Sequence, residues 1–283
     1  MDFAGKTVWI TGASSGIGEG LATGFARAGA RLVLSGRRVD ALQAVAGRCQ
    51  AQTLVLPFEV TDFDALPHIV KEAEGWTGGI DILVNNAGIS QRSLALDTDF
   101  EVYRRVMDVD YFAPLRLTQL VLPAMVARKS GAIVNIASVA GKVGSPLRTG
   151  YCSAKYALVG YSDSLRAEIA QYGVTVHVVT PGFVATSIAA NAIKGDGSIN
   201  GPTDDPVNSG ISIDEAATQI LEALATDTPE IPVGRPGAPE MQLLDFARAN
   251  PLQVFEMMAG MAPKVSRDRA SMAFSLGRPS KAV

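Results

Sequence analysis

The stretch "TVWITGASSGIG", residues 7–18, begins as an apolar run, meets glycines at 12, 16 and 18, and passes into helical spacing. Glycine lets the backbone turn tightly and lets a phosphate approach closely. The helix N-terminus beyond it offers free N–H groups and the positive end of a dipole. Strand, turn and helix in that order make a pyrophosphate cradle. Gly12, Gly16 and Gly18, with Ser14, Ser15 and Ile17 between them, are the expected contacts of a dinucleotide.

Outward from this turn the pattern repeats. Apolar runs at 7–13, 31–37, 53–60, 81–88, 132–138, 174–182 and 230–234 alternate with amphipathic stretches at 17–29, 40–48, 63–75, 99–128, 152–171 and 213–226. Near-continuous apolar strands are those that helices cover on both faces. The alternation predicts an α/β fold, a doubly wound, seven-stranded parallel sheet of Rossmann type, with residues 1–283 as a single domain. Two regions break the rhythm. Residues 187–212 are rich in Gly, Pro, Asn and Asp, too long for a plain connection, and read as a substrate lid. Residues 235–283 form a C-terminal extension. Its stretch "MQLLDFARANPLQVFEMMAGM" reads first as core or subunit interface and second as a wall of the substrate pocket.

Hydrophobic residues make up 47% and charged residues 19%, and 25 basic against 28 acidic residues leave a net charge of −3. That composition supplies a large core, and no basic run marks a nucleic-acid surface. The N-terminus reaches its first strand within a few residues, and no apolar run is long enough to span a membrane. Two cysteines without a CxxC pattern suggest neither a disulfide framework nor a metal site. The chain is expected to be cytoplasmic, with no metal.

The second strand selects the cofactor. An acid there would hold the ribose 2′-hydroxyl of NAD, whereas arginine suits the 2′-phosphate of NADP. This strand ends "SGRR", with Gly36 where the acid would stand and Arg37 and Arg38 after it. A guanidinium grips phosphate through two parallel hydrogen bonds. NADP(H) is the expected cofactor.

In "TGYCSAKYAL", residues 149–158, Tyr151 and Lys155 stand four apart and share a helix face. A free phenol ionises near pH 10. A neighbouring ammonium favours the phenolate, so such a tyrosine can exchange a proton with a carbonyl or alcohol oxygen near neutral pH. Ser138 ends a strand thirteen residues earlier, at the sheet edge where ligands bind. Its hydroxyl can hold the substrate oxygen.

"TGASSGIG", "NNAG" (85–88), Ser138, "YCSAK" (151–155) and "PGFVATSI" (181–188) together resemble a short-chain dehydrogenase/reductase, over about residues 5–235. Within that family the run from "DILVNNAGIS" to "NAIKGDGS" is most similar to the dehydrogenase/reductase member 7 group. Many of that group carry an N-terminal membrane anchor, and none is expected here. The resemblance implies the Ser–Tyr–Lys roles above, with Lys155 also binding the nicotinamide ribose. It implies that Asn86, Ala87 and Gly88 lie along the cofactor. It places Pro181, Gly182, Val184 and Thr186 at the nicotinamide end and favours Arg37 as the phosphate-binding arginine. It also implies a homodimer or homotetramer through the two long helices.

Two departures from the family pattern stand out. Glu59-Val60 replaces the usual Asp-Val or Asp-Leu that meets the adenine. In "MDVDYFAPLRL", Asp110 replaces the family's catalytic Asn, whose position supports a helix kink and a backbone carbonyl that holds a water on the lysine. The expectation is that Asp110 keeps the backbone role; the alternative is that its carboxylate draws Lys155 to itself. His68 and His177 read as structural, with no carboxylate partner near in sequence.

The expected activity is NADP(H)-dependent interconversion of secondary alcohols and ketones on largely apolar small molecules. The alternative is a non-catalytic NADP(H)-binding sensor or scaffold, disabled by Asp110.

Overall fold

The structure, a computed structural model, describes residues 1–261. Strands β1 (Thr7–Thr11), β2 (Arg31–Ser35), β3 (Thr53–Val55), β4 (Ile82–Asn85), β5 (Gly131–Ile136), β6 (Val174–Pro181) and β7 (Glu230–Val233) form one sheet. All pairings are parallel, in the order β3-β2-β1-β4-β5-β6-β7. The order reverses between β1 and β4, and the crevice above that point is where such sheets bind ligands.

The helices are α1 (Gly16–Arg27), α2 (Val39–Arg48), α3 (Leu66–Thr77), α4 (Phe100–Met107), α5 (Ala113–Arg128), α6 (Thr149–Ile169), α7 (Ile213–Ala225) and α8 (Pro239–Ala249). Successive strand residues point to opposite faces. Val8 and Ile10 accordingly pack with Leu21 and Phe25 of α1 and Ile220 of α7. Trp9, between them, packs with Leu66 of α3 and Leu117 and Val121 of α5. Both faces are covered, which is why the strands read as near-continuous apolar runs.

Several boundaries differ from the sequence pattern for local reasons. The run at 53–60 is regular strand only to Val55. Leu56 and Phe58 still donate to the Leu34 and Gly36 carbonyls (3.0 and 3.1 Å). Pro57, which has no N–H, is tolerated because β3 is an edge strand. The expected helix at 99–128 is α4 and α5 joined by a π-helical turn, Asp108–Phe112. His177 faces a carboxylate that proximity in sequence could not show: Asp227 Oδ1 lies 3.4 Å from its Nε2. Burial pulls this histidine below its usual range and so favours the neutral ring.

The segment at 187–212 is strapped to the loop after β4. Ile193 donates its N–H to the Ser90 carbonyl (2.8 Å) and accepts from Arg92 N–H (2.9 Å), and Asp99 N–H donates to the Gly195 carbonyl (2.8 Å). The extension folds into α8 and a second helical stretch over 251–261. Leu244 and Val254 are buried against Val139 and Val143, so this part is core, as the first reading expects. Residues 262–283 of the predicted extension lie outside the described residues. Among the described residues, no helix is long and apolar enough to cross a membrane.

Candidate active site

The predicted site residues converge on one cleft of about 1260 Å³ above the carboxyl ends of β1, β4, β5 and β6. Gly18 is the exception. It packs beneath the turn, where a Cβ would fall 2.5 Å from the Gly12 carbonyl and from Asn86 Nδ2. Its smallness shapes the turn and does not present it to a ligand.

Gly12 shows why the turn needs glycine. Its φ is +65°, and a Cβ would lie 2.8 Å from Ala87 Cα. The "NNAG" backbone is thus pressed against the turn. Thr11 Oγ1 accepts from the N–H groups of Asn86 (3.0 Å) and Ala87 (3.1 Å). The Asn86 side chain donates to the Thr11 and Gly12 carbonyls (2.9 and 3.2 Å). Asn86 therefore braces the turn. Ser15 precedes α1 without giving its hydroxyl to the first turn, whose N–H groups stay free for an anion.

The two arginines occupy different places. Arg38 donates to the hydroxyls of Ser14 and Ser15 (both 3.2 Å). Arg37 leans to Glu59, with Nη1 3.6 Å from Oε2. The resemblance favours Arg37, but the geometry sets Arg38 on the glycine turn. Both line the cleft with Gly36, Glu59 and Val60.

Ser138 follows β5 and caps the short 3-10 turn Val139–Gly141, its Oγ accepting from Ala140 N–H (3.1 Å). Helix α6 has no side-chain cap of its own. Gln91, fully buried, supplies one from outside: its Oε1 accepts from Gly150 N–H (2.9 Å). That bond fixes the first turn of α6 and with it Tyr151.

The Lys155 ammonium lies 5.7 Å from the centroid of the Tyr151 ring. Lys155 is 4% exposed and Asp110 is fully buried. The lysine donates to the Ile136 carbonyl (3.0 Å) and lies 3.1 Å from Asp110 Oδ2. Asp110 Oδ1 accepts from Ile89 N–H (2.8 Å). Gly88 leaves room for this pair, since a Cβ there would sit 3.2 Å from Oδ2. Burial alone would pull the lysine down; the Asp110 carboxylate and the Tyr151 phenol together outweigh it and hold Lys155 above the usual range. Burial pushes the Asp110 carboxyl up, and the ammonium pulls it only part of the way back. The structure thus puts the carboxylate on the lysine, the arrangement the sequence reading placed second. The π-helical turn at Asp110 supplies the expected kink as well.

Pro181, Gly182, Val184 and Thr186 line the same cleft. Thr186 meets the glycine turn directly, 3.2 Å from where a Gly16 Cβ would stand. Sequence reasoning missed Arg92, Arg148 and Asp205, which line the same cleft, and left the tail's pocket role second. Leu243, Met258 and Met261 of that tail do line the cleft. A visible signal for Arg148 was its place three residues before Tyr151.

The short chain dehydrogenase family model matches residues 6–196. The Anopheles gambiae protein "Dehydrogenase/reductase SDR family protein 7-like" is 41% identical over 235 residues, 80% of this chain and 74% of that one. A Burkholderia phymatum short-chain dehydrogenase/reductase in complex with NAD superposes with a TM-score of 0.78 at 23% identity, covering 88% of this chain and 95% of its own. One from Burkholderia cenocepacia in complex with NADP superposes at 0.75 and 25% identity, covering 91% and 99%. A reversed-order parallel sheet, a braced glycine turn, and a serine, tyrosine and lysine on one cleft agree with these matches: the chain belongs to the short-chain dehydrogenase/reductase family and resembles its member 7 group.

Proposed function

We propose that this oxidoreductase uses NADP(H) to interconvert secondary alcohols and ketones on largely apolar substrates. The observation that carries the reading is the shared cleft: Ser138, Tyr151 and Lys155 line the same space as the glycine turn. The residues fit a nicotinamide dinucleotide. The turn admits close backbone approach, the α1 N–H groups suit a pyrophosphate, and Arg37 and Arg38 suit a 2′-phosphate. The bound dinucleotide supplies or accepts the hydride. Ser138 Oγ holds the substrate oxygen, and Tyr151 Oη gives or takes the proton. Lys155 keeps a positive charge beside the phenol. An ammonium has three N–H donors; with one on Ile136 and one toward Asp110, a third remains for the ribose hydroxyls.

The test is hydride transfer, read as NADPH absorbance with a panel of ketones, on the wild-type chain and Tyr151→Phe. The variant keeps the ring and loses the proton. It is expected to bind NADPH nearly as well and to lose turnover by a factor of about 100 or more. Retention of most of kcat would refute the role of Tyr151.

A further inference from the structure

Beside Tyr151 in the cleft, three charged side chains meet. Arg92 gives Nε and Nη2 to Asp205 Oδ2 (3.2 and 2.9 Å) and Nη1 to Ser90 Oγ (2.8 Å). Asp205 Oδ1 accepts from Val207 N–H (3.0 Å). The carboxylate is therefore taken up by Arg92 and its own loop. Arg148 stands 3.8 Å from the same Oδ2, beyond hydrogen-bond reach, with its side chain 24% exposed. Among the described residues its guanidinium donates no hydrogen bond. Two cations against one anion leave one positive charge over, and it lies on Arg148. Burial, and then Arg92, pull this arginine below its usual range, the mark of a cation short of a counter-charge.

The location gives the excess charge a use. Arg148 immediately precedes α6, three residues ahead of Tyr151, and both line the cleft. Leu147, immediately before it, has a φ of +67°, a conformation that non-glycine residues rarely adopt and that clusters at binding sites. Leu243, Met258 and Met261 give the same cleft an apolar wall.

We propose that Arg148 receives an anionic head on the substrate, so that the preferred substrates are apolar ketones or alcohols carrying one carboxylate. A single excess charge suits a monoanion, and a guanidinium matches the planar carboxylate in shape. This rests on the oxidoreductase reading above and narrows its substrate class.

The experiment compares a homologous series of keto acids with their methyl esters, which share the carbon skeleton and lack the charge. The readout is the acid-to-ester ratio of kcat/KM with NADPH. The best acid is expected to exceed its ester at least about tenfold, the factor one charge-assisted hydrogen bond supplies, through KM. Arg148→Met should bring the ratio close to one, and Arg148→Lys should recover part of it. A wild-type ratio at or below one overturns the proposal. So does a ratio that Arg148→Met leaves unchanged, because a purely structural role would lower both rates together. If the wild type turns over neither compound, the oxidoreductase reading fails, and calorimetry on the NADPH-loaded chain decides this proposal separately. Acid bound more tightly than ester, with the difference lost in Arg148→Met, upholds it; equal binding overturns it.

Discussion

Asp110 sets one negative charge against the Lys155 ammonium, and Asp110→Asn removes that charge at constant size. Lys155 would then lose the carboxylate that helps to hold its proton and would shed that proton more readily. The high-pH arm of the kcat/KM profile for alcohol oxidation, where Lys155 loses its charge, is expected to move toward lower pH, by about one unit or roughly 1.4 kcal/mol. An unmoved profile would leave Asp110 with its backbone role alone. Arg37 and Arg38 belong to this scale too. Wild type is expected to bind NADPH at least about tenfold more tightly than NADH in a fluorescence titration, one charge-assisted contact's worth. Arg38→Ala should weaken NADPH at least as much as Arg37→Ala, since Arg38 is the one resting on Ser14 and Ser15. Equal affinity for the two dinucleotides in the wild type would sink the preference. That these residues line one cleft was legible because their signals are local: the glycine spacing, the "SGRR" strand end and the Tyr–Lys interval each lie within a few residues. The ion pair with Asp110 was not, because its 45-residue separation from Lys155 closes only when α6 packs on the π-helical turn.

Individual elements are tied together by a buried amide chain. Asn85 Nδ2 of β4 donates to Asn135 Oδ1 of β5 (2.8 Å), and Asn135 Nδ2 donates to Ser162 Oγ of α6 (2.8 Å). Ser162 passes the chain to the Leu158 carbonyl (2.6 Å). All three side chains are at most 2% exposed, so losing one member strands a buried donor. Asn135→Ala removes the central link and is expected to lower unfolding free energy by about 1–3 kcal/mol. Urea unfolding followed by circular dichroism measures it, and a change under about 0.5 kcal/mol, the range of neutral surface substitutions, would show that the chain is energetically slack. The asparagines interrupt otherwise apolar strands, a visible oddity, but nothing near them in sequence says what they bond to.

The whole molecule leaves aromatic surface on its long helices. Phe112, where α5 begins, is 44% exposed and Tyr156 of α6 is 45% exposed. Together with the family's habit of pairing these helices, this supports a homodimer or homotetramer. Light scattering across a dilution series should return a mass of two or four chains, and Phe112→Glu with Tyr156→Glu should shift it toward one. A wild-type mass of one chain at every concentration would exclude the assembly.

Periodicity sufficed for the sheet and its helical layers, and motif spacing for the expectation that Ser138, Tyr151 and Lys155 meet on one cleft, because each is written in the chemistry of neighbouring residues. Partner choice was beyond them. Asp205 meets Arg92 from 113 residues away, Asp227 meets His177 from fifty, and Leu244 of α8 packs with Val139. An apolar or charged residue announces that it needs a partner, but a strand order that reverses at β1 and β4 decides which distant segment arrives. The charge balance of the cleft, and with it the spare cation on Arg148, therefore exists only once the chain has closed on itself.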